Sequence, residues 1–205
     1  MDISKIDKIL QYALLTAGNE DDPYDRQLGP IHLIKYVYLA DLEYAKEHDG
    51  ETFTGVKWQF YKFGPWAQIV NERIGPSLSE IGAEKKTFPS DYEDKEEWVR
   101  WRAVYEEVAR DLERELPIII TSSIKKNVHR FGKDTSDLLS YVYATLPMRL
   151  AAPNEFLDFS TLHRYRRIEH PERPKKKLTV REKNILKEKR NNLKDLAKKK
   201  LAEKR

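Results

Sequence analysis

Residues 30–48, PIHLIKYVYLADLEYAKEH, constrain the fold more than any other stretch. Ile31, Ile34, Val37, Tyr38, Leu42 and Ala45 recur at helical spacing, and Leu33, Tyr36 and Leu39 widen that stripe around the circumference. A helix apolar on so many sides can only be stable if other elements surround it, so this segment predicts the central helix of a helical core. Pro30 suits its first turn, where an N–H is not needed. The flanks agree: residues 3–17 place Ile3, Ile6, Ile9, Leu10, Ala13, Leu14 and Ala17 on one face, with Gly18 as the stop, and residues 19–30 read as a polar loop.

After the central helix the pattern changes. In residues 52–64 Val56, Trp58 and Phe60 alternate with Lys57, Gln59 and Tyr61, which predicts a strand. The expected turn is at Gly64-Pro65, and Pro65 is expected to open a third helix carrying Trp66, Ile69, Val70 and Ile74. That helix ends near Gly75-Pro76 or continues as a short turn to Ile81. Residues 84–95 read as a loop with room for a brief strand at KKTF. Trp98, Trp101, Tyr105, Val108 and Leu112 fit a helix, which is expected from Ala103; before it, WVRWRAV reads equally as a strand. Beyond Pro117, IIIT has strand propensity, whereas Ile120, Ile124, Val128 and Phe131 keep helical spacing. Thr135 and Ser136 are expected to cap a helix that Pro147 ends, followed by a closing loop. The expected fold class is mainly α with a small β-sheet, a compact helical domain followed by a basic C-terminal helix.

Charge divides the chain in two. From Arg164 to the end there are 18 Lys/Arg against 6 Asp/Glu, near +12, which leaves residues 1–163 at about −8 although the whole carries only +4. This suggests three parts: a domain over residues 1–163, a basic proline-containing linker over 164–177, and a basic helix over 178–205. That helix would be about 40 Å long when fully formed. Its apolar stripe, including Leu186, Leu193, Leu196 and Leu201, is narrow, so it needs a partner to stay helical.

The residues exclude more chemistry than they suggest. The chain has no cysteine, hence no disulfide and no thiolate nucleophile. His32, His48, His129, His163 and His170 have no metal-ligand spacing, so no metal and no cofactor is expected. Phosphate-cradling glycine loops and a serine-hydrolase elbow are missing, and nothing favours an enzyme. No apolar run is long enough for a membrane span, and the first ten residues lack the apolar core of a signal peptide. A cytoplasmic protein is the expectation.

Two features point to partners instead. Around QFYKFGPW, Trp58 and Phe60 read as core, whereas Tyr61 and Phe63 face the other way and, unless a second layer covers them, form an exposed aromatic edge suited to a protein partner, with Trp66 beyond the turn as a further candidate. In the tail, Lys175, Lys176, Lys177, Lys198, Lys199 and Lys200 could neutralise phosphates, and Leu186, Leu193 and Leu196 could pack on a partner.

Residues 33–66 also resemble the helix, short strand and Gly-Pro turn of the Panacea (SocA-like) antitoxin domain, a family met in phage-associated and toxin-antitoxin settings. Lys35, Tyr38, Leu39, Ala40, Ala45, Trp58, Tyr61, Gly64 and Pro65 stand at comparable places, and residues 131–148 are similar to a later segment in which a glycine precedes a capped helix. The similarity extends over roughly residues 3–160. It implies a mainly helical domain with a small sheet, no enzymatic activity, and neutralisation of a cognate toxin protein by direct binding. The basic tail departs from the minimal domain and is a candidate for recognising the particular toxin. A DNA-binding regulator or autorepressor anchored by that tail is the alternative, and homo-oligomerisation stays open.

Overall fold

In a computed structural model of the chain, residues 1–89, 98–104, 108–132 and 134–162 are described. The chain divides into two units, Met1–Arg166 and Arg167–Arg205. The basic tail, with Leu186, Leu193, Leu196, Lys175, Lys176, Lys177, Lys198, Lys199 and Lys200, lies outside the described residues.

The first unit is mainly helical, with a three-stranded and a two-stranded antiparallel sheet. Helix α1 (Ile3–Gly18) starts at Asp2, whose carboxylate accepts from the Lys5 N–H, and runs through Gly18 to Asn19. A two-residue strand β1 (Gln27–Leu28) follows, and Pro30 opens α2 (Pro30–Glu47) as expected. Twelve of the α2 residues from His32 to Ala45 are buried. Helices α1, α3 (Gln68–Glu80), α5 (Ile118–Phe131) and α6 (Thr135–Tyr143) all pack on it, which is what its all-round apolar surface requires.

The strand after α2 is shorter than its alternating pattern. Val56 and Trp58 are buried and Lys57 exposed, yet paired backbone begins only at β2 (Gln59–Tyr61). Its partner is β3 (Gly64–Trp66), with Gln59 opposite Trp66, Phe60 opposite Pro65 and Tyr61 opposite Gly64. This corrects two expectations. The reversal lies at Lys62-Phe63, and Pro65 and Trp66 sit on a strand, not in a helix. Proline has no N–H to give a ladder, but the outer side of β3 faces α2, where the Pro65 carbonyl has its own donor in Lys35. Helix α3 therefore starts at Gln68 and continues past Pro76 to Glu80. The lost N–H is offset because α3 is tied to α1 on both sides of that proline: Arg73 donates two hydrogen bonds to Asp7, at 2.9 and 2.7 Å, and the Ser77 hydroxyl donates to the Asp7 carbonyl.

Strands β4 (Glu84–Phe88) and β5 (Trp98–Arg102) form an antiparallel pair, and β1 adds to the far side of β5. Trp98 and Trp101 thus belong to a strand, and helix does not resume at Ala103: α4 spans Val108–Glu115. Of the residues of the expected helix, Tyr105 lies outside the described residues. In α5 spacing prevails over β-propensity, because Ile120, Ile124 and Val128 are fully buried against the other helices. Helix α6 is capped by Asp134, not by Thr135 or Ser136; the Asp134 carboxylate accepts from the Asp137 N–H at 2.9 Å. Pro147 does not end α6 either. It lies in the first turn of a short α7 (Leu146–Leu150), where a proline is well accommodated. No described helix is long and apolar enough to cross a membrane.

Candidate protein-binding surface

The β2–β3 hairpin is fastened from three directions. From α2, the buried Lys35 ammonium donates to the Pro65 carbonyl at 2.9 Å. From α6, the Tyr143 hydroxyl donates to the Lys62 carbonyl at 3.2 Å, and its ring meets Phe60 edge-on. From the C-terminal side, residues 154–157 run beside β2: Phe60 N donates to the Glu155 carbonyl, Asn154 N to the Phe60 carbonyl, and Leu157 N to the Trp58 carbonyl. The reversal itself depends on Gly64, at φ +94°, since neither Lys62 nor Phe63 has a positive φ.

The residues leading into the hairpin are anchored by a buried carboxylate. Asp41, fully enclosed on α2, accepts from the Thr54 N–H and hydroxyl and from the Trp58 indole N–H at 2.9 Å. Burial pushes the Asp41 carboxyl up to about 6 despite these donors, and burial pushes the Lys35 ammonium down to about 7. The Trp58 ring also packs edge-on against Tyr38, as the core reading of Trp58 expects.

Fastening the backbone this way leaves one aromatic face outside. Opposed residues in a ladder point to the same side, so Tyr61 and Trp66 share a face, with ring centroids 6.4 Å apart. Phe156 bridges to Gln59 and joins that face. Phe63, which the strand pattern would place beside Tyr61, stands instead at the tip of the turn. Phe63 is 62% and Phe156 66% exposed, Tyr61 is exposed, and Trp66 is half-buried. The structure thus brings together Tyr61, Phe63 and Trp66 and adds Phe156, which the reading of residues 149–160 as a closing loop misses. A signal was present: in FLDF, Leu157 and Phe159 are buried while Phe156 and Asp158 point outward, a period of two.

Concave sites elsewhere carry less. A groove of 450 Å³ between α1, α4 and α5 is lined by Glu20, Glu113, Lys125 and His129 among others, but Lys125 already pairs with Glu113 at 2.7 Å and His129 with Glu20 at 3.2 Å. Among the described residues no group of three or more His, Asp or Glu could hold a metal ion.

Fold and surface together define a mainly helical domain that displays an aromatic hairpin. Comparison with family models, curated proteins and solved structures gives no match for this chain.

Proposed function

We propose that this chain is an antitoxin-like protein of the cytoplasm that binds a cognate toxin protein by direct contact and neutralises it, without a reaction of its own. The observation that carries this reading is the cluster of Tyr61, Phe63, Trp66 and Phe156, held outward by a hairpin fastened to α2, α6 and residues 154–157. Large rings on a pre-ordered backbone lose little conformational freedom on binding, and Trp and Tyr are enriched among residues that dominate interfaces. The reading is also the one that the resemblance of residues 33–66 to the Panacea domain implies; in this chain Lys35 and Pro65, two of the residues that carry the resemblance, meet in one hydrogen bond that positions this surface. In the same reading the basic tail extends the interface, for a toxin whose surface is acidic or normally accepts nucleic acid.

The test is co-expression with the product of the adjacent gene. Growth rescue and a co-purifying complex are expected for the wild type, and loss of both for the double variant Tyr61→Ala/Phe63→Ala at unchanged protein level. Failure of the wild type to rescue or to form a complex would reject the proposal.

A further inference from the structure

The outer face of the β1–β5–β4 sheet has no part in the hairpin surface. In its register Glu84 lies opposite Arg102, Lys86 opposite Arg100, and Phe88 opposite Trp98. These six residues share one side of the ribbon, because opposed residues face the same way and residues two apart repeat. The other side of β5 carries Trp101, only 8% exposed and packed in the core with Leu28. The outward side therefore reads, in order, acid opposite base, cation opposite cation, ring opposite ring.

Two observations point to something that covers it. Like charges directly opposite destabilise a sheet, and neither Lys86 nor Arg100 forms an ion pair among the described residues. Beside them Trp98 is 55% and Phe88 41% exposed. An anionic ligand would relieve the first condition and a flat apolar one the second.

We infer that this face binds single-stranded nucleic acid, with bases stacked on Trp98 and Phe88 and phosphates on Lys86 and Arg100. The two rows are two residues apart along each strand, roughly 7 Å, so rings and cations lie side by side on one short surface. A duplex hides the faces of its bases, so only unpaired bases use the rings. An acidic peptide would satisfy the cations and leave the rings idle.

The experiment is fluorescence anisotropy of the full chain with labelled oligothymidylate and oligouridylate of about 15 nucleotides, a duplex of equal length, and polyglutamate as competitor. Binding of either single strand is expected to weaken about tenfold in Trp98→Ala, to persist in Trp98→Phe, and to weaken with a shallower salt dependence in Lys86→Glu/Arg100→Glu. The two single strands separate DNA from RNA as the source. Because Trp98 is outside the core, unchanged thermal unfolding is expected for Trp98→Ala. To remove binding by the tail as an explanation, Lys175, Lys176 and Lys177 are replaced by glutamine. Loss of all binding in that variant with none in the ribbon variants overturns the inference. So do equal binding of the duplex with Trp98→Ala unaffected, and full displacement by polyglutamate.

Discussion

Two buried ionisable residues on α2 hold the display hairpin, and each leaves a signature in pH. Asp41 is raised to about 6 by burial. Its folded form keeps a proton that the unfolded chain has released, so its contribution to stability is complete below about pH 4 and is lost as pH rises through 6. The loss is on the order of 3 kcal/mol. In Asp41→Asn this dependence disappears, and the new amide hydrogens face the Trp58 and Thr54 donors, at a cost of about 1–3 kcal/mol. Urea midpoints should therefore show the variant's deficit at its widest near pH 4 and narrowing toward pH 7. Lys35 behaves in the opposite sense. Burial lowers it to about 7, so the folded state binds fewer protons than the unfolded one over the interval up to the normal lysine range, and stability rises with pH there. Lys35→Met abolishes that rise; wild type should gain on the variant between pH 7 and 10 by on the order of a few kcal/mol, read as the difference between the two sets of midpoints.

Elements end where local chemistry and tertiary contacts agree, and two of these points are testable. Gly64 completes the hairpin at φ +94°, with ordinary van der Waals room for a Cβ, so the obstacle to a side chain there is backbone conformation. Gly64→Ala is expected to cost about 1 kcal/mol or more and to lower the melting temperature. Asp134→Ala removes the cap of α6 and should cost about 1 kcal/mol, measured by chemical denaturation, while Thr135→Ala should cost less because that hydroxyl is not the cap. The elements that were legible from the residues are those whose periodicity coincides with burial: α1, α2 and α5. Those that were not legible are the ones decided by a distant neighbour. The three-residue spacing of Trp98 and Trp101 fits a helix, yet pairing of β5 with both β1 and β4 makes it a strand and sends the two rings to opposite faces. Pro76 looks like a stop, yet the Asp7–Arg73 pair and Ser77 carry α3 through it.

At the scale of the whole molecule, folding and binding draw on different aromatic residues. Trp58, Tyr36 and Tyr38 are inside, whereas Tyr61, Phe63 and Phe156 are outside on a scaffold that does not need them. Phe63→Ser should consequently change unfolding free energy by no more than about 0.5 kcal/mol while weakening capture of the partner protein at least tenfold in a pull-down titration. Equal loss of stability and capture would mean that Phe63 is part of the core after all.

The residues by themselves determine the helical class and the centrality of α2, because periodic apolar spacing fixes which face of each segment must leave water. Only the tertiary structure decides that Lys35 holds Pro65, that Phe156 joins Tyr61, and that Lys86 and Arg100 stand opposed beside Phe88 and Trp98. Those outcomes depend on register between segments far apart in the chain, and a shift of one residue would turn every side chain in a strand to the other face.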